Sequence, residues 1–429
     1  MLSYLKRNIS VQSKDKLALL LDSQFWSRDE IMKYQLDKVT LILNHAAKYV
    51  PYYRKLFRDK KINIDGIKSL DDLACIPVLS KRDIQQNLNS MVAESVDIRA
   101  LFSNSTGGST GVPLNFYQDA SYIAWADAAR LRAWRYMVGA TEKDLEAVLW
   151  GAERDIGKGV SIRKALYHVL REGCLPLNSF DMKPSEIKKF CRLYNVLKPK
   201  TLRGYASSLH VFADFVSTEN IRIVPPSAII SSAETLLPQA RRKIETVLGA
   251  PVYDSYGCRE VSQIATECTA HDGLHVVWEN QYVELVNGSV VVTNLHNYAM
   301  PFIRYEIGDL ADSLSFSECA CGRNGQKIKN IKGRIADNIV LENGRIVHGE
   351  YFTHLFYAHQ NISRIQVVYH KKSGRLTIRV SSPVDCNGLA DEVKRRIRED
   401  FGIVNIDFIQ TDKFEKTETG KYKFVYMAE

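Results

Sequence analysis

Hydroxyl side chains and glycines alternate in one segment of the chain, Ser103-Asn104-Ser105-Thr106-Gly107-Gly108-Ser109-Thr110-Gly111. Short apolar stretches at 101–102 and 114–116 flank it. Backbone N–H groups and hydroxyls in such a loop can surround an anion, and glycines leave room for its approach. The Gly-Lys-Ser/Thr ending of a Walker A loop is absent. The pattern predicts phosphate binding. A flexible surface linker is the alternative, and the apolar flanks disfavour it.

Cysteines suggest a second kind of site. The chain has eight, scattered except for Cys319 and Cys321 in a Cys-Ala-Cys-Gly segment, with Cys268 upstream. Disulfides are rare in a reducing cytoplasm, so clustered cysteines there indicate a metal. Three thiolates and one imidazole, from His275 or the competing His271, would form a closed tetrahedral zinc set. Such a set leaves no position for water, so its role would be structural. Reduced cysteines without a ligand are the alternative.

Helical and strand patterns alternate through the middle of the chain. Segments 122–137, 187–197 and 207–216 have helical spacing, and apolar runs such as 228–230 and 252–253 are typical of buried strands. This alternation predicts an α/β fold with a mainly parallel sheet.

The C-terminal part has a different pattern. Two strands flank the turn Lys372-Ser373-Gly374, a helical stripe follows and ends at Gly402, and a strand resumes at 406–408. We therefore predict a large N-terminal domain over 1–333 and a small, mobile α+β domain over 334–429.

Bulk properties exclude several classes of protein. The 429 residues are 45% hydrophobic, enough for a large and a small domain. The net charge of +9 is interspersed with acidic residues, which indicates a mildly basic surface rather than a nucleic-acid partner. No apolar run could cross a bilayer, and the N-terminus lacks the order of a signal peptide. We expect a cytoplasmic protein without membrane insertion.

Four further segments, together with the glycine-rich loop, can be compared with the motifs of known protein families. They are, in chain order, Ser231-Ser232-Ala233-Glu234, Asp254-Ser255-Tyr256-Gly257-Cys258-Arg259-Glu260, Arg304-Tyr305-Glu306-Ile307-Gly308-Asp309-Leu310 and Thr419-Gly420-Lys421. With the loop, they resemble the motifs of adenylate-forming enzymes, the superfamily of acyl-CoA synthetases. Val50-Pro51-Tyr52-Tyr53-Arg54-Lys55 and Cys319-Ala320-Cys321-Gly322-Arg323 resemble the phenylacetate–CoA ligase family, which includes adenylate-forming proteins of capsular polysaccharide biosynthesis. The resemblance implies the adenylate-forming fold, a large α/β domain with a small α+β lid.

The resemblance also implies roles for individual residues. The ATP or AMP site would comprise Ser105, Thr106, Gly107, Gly108, Ser109 and Thr110 at the phosphates, Ala233, Glu234, Asp254, Tyr256 and Gly257 around the adenine, and Asp309 and Arg334 at the ribose. Glu260 would bind Mg²⁺, and the catalytic residues would be Lys421, Glu260 and Arg259. The zinc ligands would be Cys268, His275, Cys319 and Cys321. His275 is preferred to His271 because it stands in Gly-Leu-His, as in the relatives.

These residue types suit the formation of an acyl-adenylate from ATP and a small carboxylic acid. The acid's oxygen must attack the α-phosphorus, so two anions approach each other and catalysis consists of charge neutralisation and positioning. A lysine on a mobile domain completes such a site when the domain closes and excludes water.

Two departures from the family motifs affect the expected acceptor. Arg259 stands where the motif has Thr or Ser, and an arginine can meet the α-phosphate more strongly than a hydroxyl. Ala336 stands where the hinge motif has its first aspartate. In relatives this hinge turns the small domain towards thioester formation. CoA is therefore the default acceptor, and a carrier-protein thiol or a sugar amine or hydroxyl is the alternative.

Other classes remain as alternatives at this point. One is a non-catalytic ATP-binding scaffold, and another is a basic, zinc-stabilised nucleic-acid-binding protein. A homodimer is compatible with the resemblance. The acid pocket is expected near Trp125, Tyr136, the Trp150-Gly151-Ala152 segment, Tyr205 and Tyr253.

Overall fold

The computed structural model describes the chain from residue 11 to residue 428 with gaps. The described residues are 11–105, 114–150, 162–179, 182–334, 339–341, 346–347, 352, 355–356, 362, 364–415 and 425–428. No helix among them is both long enough and apolar enough to span a bilayer.

The α-helices are α1 (Val11–Ser23), α2 (Arg28–Tyr49), α3 (Pro51–Asp59), α4 (Lys81–Asn87), α5 (Ala120–Trp134), α6 (Ile162–Glu172), α7 (Pro184–Leu197), α8 (Ala206–Thr218), α9 (Pro238–Leu248) and α10 (Asn387–Phe401). Short 3-10 helices cover Ile64–Gly66, Asp71–Cys75, Leu88–Met91, Ile98–Ala100 and Tyr136–Val138. Local chemistry explains several boundaries. Ser80 and Asp83 form a capping box that begins α4, as the sequence indicates. Gly402, with φ of 72°, ends α10.

A mixed sheet of 11 strands dominates the described residues. Its parallel part contains β3 (Glu146–Trp150), β4 (Cys174–Asn178), β5 (Thr201–Tyr205), β6 (Ala228–Ser232) and β7 (Val252–Cys258). Its antiparallel part contains β8 (Ser262–Glu267), β9 (Leu274–Val276), β10 (Gln281–Val286), β11 (Ser289–Asn294), β12 (Tyr305–Phe316) and β13 (Gln326–Arg334). The strand order is β10-β11-β12-β13-β9-β8-β7-β6-β5-β3-β4, so β7 joins the two parts.

Two apolar cores flank this sheet. Residues of the parallel strands pack with α7, α8 and α9 in one cluster, which includes Phe190, Leu202 and Phe212. Residues of α2, α3 and the antiparallel strands form another around Trp278 and Tyr305. The strands of the parallel part are buried along most of their length, as expected for a sheet covered by helices.

The C-terminal residues form their own sheet and core. The sheet has the order β18-β17-β16-β19, from β16 (Arg364–His370), β17 (Arg375–Ser381), β18 (Ile406–Gln410) and β19 (Val425–Ala428). The core includes Val367, Ile378 and Ile397. The α/β fold with a smaller α+β unit is thereby confirmed, although β19 was not expected. The prediction of a mainly parallel sheet is wrong for the large sheet as a whole, because six of its ten neighbouring strand pairs are antiparallel. The domain boundary at 333/334 stays a prediction.

Two hairpins complete the described fold. β1 (Phe102–Ser105) pairs with β2 (Asn115–Gln118), and β14 (Ile339–Val340) pairs with β15 (Ile346–Val347). The first three residues of the predicted phosphate loop, Ser103 to Ser105, belong to β1, and the rest of that loop lies outside the described residues.

Candidate active site and metal site

The start of the glycine-rich loop is tied to the Tyr256–Glu260 motif. Ser105 ends β1, and its carbonyl oxygen accepts a hydrogen bond of 3.1 Å from Nη1 of Arg259. The exposed Arg259 therefore lies where the loop begins. Several predicted site residues lie outside the described residues, namely Thr106, Gly107, Gly108, Ser109, Thr110 and Lys421.

The turn between β7 and β8 requires glycine at position 257. A Cβ atom on Gly257 would lie 2.4 Å from the carbonyl oxygen of Ser262, too close for any other residue without a backbone shift. Ser262 itself has φ of 64°, an uncommon value for serine. The motif glycine thus shapes the hairpin that carries Tyr256 and Glu260.

Tyr256 and Asp309, assigned to the adenine and the ribose, lie side by side. The Tyr256 hydroxyl donates a hydrogen bond of 2.7 Å to Oδ2 of Asp309, which is buried on β12. Asp309 is also paired in register with Arg334, the last residue of β13. The structure therefore brings three of the predicted nucleotide residues to one place, although they come from distant parts of the chain.

Glu260 has the surroundings expected of a cation ligand. Its side chain is buried, and its Oε1 accepts a hydrogen bond of 3.1 Å from the Tyr305 hydroxyl. Within the described ranges, no lysine, arginine or histidine nitrogen lies within 4.0 Å of its carboxylate. A buried carboxylate needs a compensating charge, and a hard divalent cation supplies it through oxygen ligands. The residues present therefore fit Mg²⁺.

The Ala233-Glu234 segment follows β6 with an unusual backbone. Ala233 has φ of 66°, and the Glu234 carboxylate accepts a hydrogen bond of 2.8 Å from the backbone N–H of Ser207. Ser207 lies at the N-terminus of α8, where a carboxylate satisfies a free N–H and meets the positive end of the helix dipole. Glu234 thus fixes the segment predicted to border the adenine.

Asp254 lies on β7, two residues before Tyr256, and is half-buried. Burial and the nearby Glu267 carboxylate raise its pKa to about 7, against the opposing effect of Arg241. Its Oδ1 accepts a hydrogen bond of 2.9 Å from the Ser255 N–H. The position at the end of the parallel sheet agrees with its predicted place beside Tyr256.

The four predicted zinc ligands converge. The ligand atoms of Cys268, His275, Cys319 and Cys321 all lie within 4.8 Å of one another. The Cys268 and Cys319 sulfurs are 3.6 Å apart, and the Cys321 sulfur is 3.4 Å from Nε2 of His275. Zn–S and Zn–N bonds of about 2.3 and 2.1 Å give tetrahedral ligand spacings of roughly 3.8 and 3.6 Å. The donor set fits a structural zinc ion.

The choice between the two histidines is also explained. Burial, with the positive charges of Arg323 and Lys327, lowers the pKa of His275 to about 4, so its imidazole is neutral as metal binding requires. His271 instead contacts Glu267 at 3.2 Å and stacks on Tyr253.

The group of three cysteines and His275 lies at the far ends of the strands that carry the predicted nucleotide residues. β8 runs from the Glu260 turn to Cys268, while β12 and β13 run from Asp309 and Arg334 to the loop with Cys319. β9 pairs with both hairpins, placing His275 opposite Thr266 and Lys327. A metal here would hold the two hairpins in a fixed register.

Part of the expected acid pocket comes together within the described residues, and Gly151 and Ala152 lie outside them. The Trp150 and Tyr205 rings lie 4.4 Å apart at the carboxyl ends of β3 and β5. Trp125 and Tyr136 pack instead in a cluster with α1, and Trp125 stacks on His296. Sequence reasoning missed Arg203, whose guanidinium lies 4.0 Å from the Trp134 ring centroid. Its one signal was its position two residues before Tyr205, on the same face of β5.

The overall fold is similar to that of solved CoA ligases. It matches 2-hydroxyisobutyryl-CoA ligase in the postadenylation state, in complex with R3-HIB-AMP, with a TM-score of 0.73. The two sequences are 19% identical, and the match covers 94% of this chain and 90% of that one.

Proteins of similar sequence indicate a narrower group of relatives than the fold does. Protein CapK of Staphylococcus aureus is 23% identical over 407 residues, 92% of this chain and 89% of its own. Phenylacetate-coenzyme A ligase of Pseudomonas putida is 24% identical over 443 residues, 95% of this chain and 97% of its own. No protein-family model matches the chain. The resemblance to phenylacetate–CoA ligases is confirmed along most of the chain.

Proposed function

We propose that this protein uses ATP to convert a carboxylic acid into an acyl-adenylate, with release of pyrophosphate, and then transfers the acyl group to CoA. The observation that carries the proposal is the contact of the Tyr256–Glu260 motif with two other predicted motifs. Tyr256 is hydrogen-bonded to Asp309, Glu260 to Tyr305, and Arg259 to the carbonyl oxygen of Ser105 in the glycine-rich segment. The similarity to phenylacetate-CoA ligase and to a CoA ligase bound to an acyl-AMP supports it.

The nucleotide would lie along the turn between β7 and β8. We assign the phosphates to Ser105–Thr110, the adenine to the Ala233-Glu234 segment with Asp254, Tyr256 and Gly257, and the ribose to Asp309 and Arg334. The Tyr256–Asp309 hydrogen bond supports this arrangement, because it fixes the ring and the carboxylate relative to each other. The acid's apolar part would lie near Trp150 and Tyr205.

In the proposed reaction, a carboxylate oxygen forms a bond to the α-phosphorus while the bond to the leaving pyrophosphate oxygen breaks. Arg259 and Lys421 supply positive charge where the two anions approach. Lys421 belongs to the small domain, which we place at 334–429, so domain closure completes the site. Glu260 would hold Mg²⁺, which would supply charge neutralisation at the phosphates.

We assign a structural role to zinc at Cys268, His275, Cys319 and Cys321. The ligand spacings support this assignment. The set is closed, with four protein ligands, and so offers no position for substrate.

Ala336 replaces the hinge aspartate of the family and lies outside the described residues. We propose CoA as the acceptor on the strength of the ligase relatives. A carrier-protein thiol, or an amine or hydroxyl on a sugar in polysaccharide synthesis, is the alternative.

The acceptor is tested by incubating the protein with ATP, Mg²⁺ and a panel of acids, with and without CoA, and identifying products by mass spectrometry. We expect AMP and an acyl-CoA thioester for at least one acid, and only slow AMP release without CoA. Acyl-adenylate formation with no thioester for any acid would contradict CoA as the acceptor and leave adenylation intact.

Replacing Asp309 by asparagine should weaken ATP binding. The carboxylate would lose its charge and its hydrogen bonds to the ribose, worth about 1.5–3 kcal/mol for a charged partner, or roughly a 10- to 100-fold loss of affinity. Isothermal titration calorimetry with ATP measures it. Asp312→Asn is the matched control, because Asp312 lies on the same strand and pairs with Lys332. Equal ATP affinity in both variants would contradict the assignment of Asp309.

A further inference from the structure

Two tyrosine–carboxylate hydrogen bonds cross between the motif on β7 and the motif on β12. Tyr256 of β7 donates to Asp309 of β12 at 2.7 Å. In the opposite direction, Tyr305 of β12 donates to Glu260, just after β7, at 3.1 Å. Each motif therefore supplies a phenol to the carboxylate of the other. The first bond orients a ribose ligand, and the second acts on the carboxylate assigned to the metal.

The Tyr305 hydroxyl is fixed by its surroundings. The side chain is 1% exposed, and its ring centroid lies 5.1 Å from that of Phe302. The backbone is held on both sides, because Leu79 N donates to Arg304 O at 2.8 Å and Glu306 N donates to Leu79 O at 3.0 Å. Because the backbone around Tyr305 is held so firmly, its hydroxyl keeps nearly one position relative to Glu260.

Arg304 further restrains the backbone that carries Tyr305. Its guanidinium pairs with Glu284 at 3.0 Å and donates to the carbonyl oxygens of Ala74 and Ile76. Its φ of 52° is uncommon for arginine, so the surrounding contacts impose the conformation. Tyr305 follows directly, and the strand direction at its Cα is set by these contacts.

Glu260, by contrast, is held at its backbone by longer contacts. Its carbonyl oxygen accepts hydrogen bonds of 3.4 Å from the Gln118 amide and from the Tyr122 hydroxyl. Its carboxylate has no protein cation within 4.0 Å among the residues that the structure describes. The Tyr305 hydroxyl, a neutral donor, therefore orients the carboxylate without competing with a metal ion for its charge.

We propose that Tyr305 is the positioning residue of the metal-binding carboxylate, an inference that rests on the proposed function of Glu260. Its hydroxyl holds Oε1 so that Glu260 keeps one orientation towards the nucleotide-bound cation. Groups that orient a metal ligand in this way typically contribute about 10- to 100-fold to metal affinity or activity. The role is distinct from catalysis, since Tyr305 acts only through Glu260.

The test measures the affinity of Mn²⁺ by electron paramagnetic resonance in the presence of a non-hydrolysable ATP analogue. Tyr305→Phe should weaken Mn²⁺ binding by about 10-fold. Tyr53→Phe is the matched control, because Tyr53 is equally buried in the same core and its hydroxyl donates to Pro301 O at 2.9 Å. That variant should bind Mn²⁺ as the unchanged protein does, even if its unfolding temperature falls.

A double-mutant cycle distinguishes an effect of Tyr305 on Glu260 from a general disturbance of the fold. Glu260→Gln should weaken Mn²⁺ binding, and adding Tyr305→Phe to it should cause no further loss, because the two residues act as a unit. Full Mn²⁺ affinity in Tyr305→Phe, or an equal loss in Tyr53→Phe, would overturn the proposal for Tyr305. Unchanged Mn²⁺ affinity in Glu260→Gln would instead overturn the proposed function of Glu260, and the inference with it.

Discussion

Lys421→Ala should reduce acyl-adenylate formation by at least about 10²- to 10³-fold, the usual effect of removing one group that stabilises transition-state charge. ATP binding should stay nearly unchanged. We assign the lysine to the step in which the acid meets the α-phosphate. The other proposed nucleotide contacts, apart from Arg334 at the proposed domain boundary, belong to the large domain. Single-turnover formation of acyl-AMP measures the effect, and calorimetry measures ATP affinity.

Lys413→Ala is the control for this prediction. Lys413 is an exposed lysine earlier in the same C-terminal stretch, so its loss removes the same charge without the proposed role. It should adenylate normally. If Lys421→Ala also adenylates normally, the assignment of Lys421 is wrong, and the positive charge must come from another residue such as Arg259.

Loss of zinc should have the largest effect on stability. Purified protein should contain about one zinc ion per chain, and Cys321→Ser should lose it. The free energy of unfolding should fall by more than about 4 kcal/mol, since loss of a metal is among the few changes that large. Atomic emission analysis and denaturant unfolding measure the two quantities.

Cys75→Ser is the matched control, because Cys75 is exposed and does not belong to the group of four ligands. It should keep both zinc and stability. Absence of zinc from the purified protein, together with unchanged unfolding in the presence of a chelator, would contradict the proposed metal site.

Features with a local chemical cause could be predicted from the sequence. Asn287 and Gly288 have φ of 51° and 82°, which is the backbone that an Asn-Gly hairpin turn requires. Ser80 and Asp83 begin α4 through hydrogen bonds within one turn. The grouping of Cys268, Cys319 and Cys321 with His275 was predicted from the cysteine spacing together with the family resemblance, which favoured His275 over His271. That zinc binds there stays a prediction.

Features that depend on strand register could not be predicted from the sequence. The Tyr305–Glu260 hydrogen bond joins residues 45 positions apart, and nothing near either residue indicates it. Glu234 similarly caps α8, which begins well before it in the chain. β19 is short and pairs with β16 through Val425 and Val367, a contact that local periodicity does not encode.

The acid pocket is a further feature that the sequence predicts only in part. Aromatic residues were expected there because of their type, and among the described residues the sheet brings Trp150 and Tyr205 together. Trp125 is held on α5 against His296 and α1. Side-chain type predicted that these residues would be buried, and tertiary packing decided in which cluster.

The most direct test of the central claim is ATP–pyrophosphate exchange with a panel of carboxylic acids and no CoA. The exchange measures reversible acyl-adenylate formation and is independent of the acceptor. We predict exchange that requires both Mg²⁺ and one class of acid, and that is lost in Lys421→Ala. Measurable ATP binding without exchange for any acid in a broad panel would contradict the proposed adenylation and favour a non-catalytic ATP-binding protein.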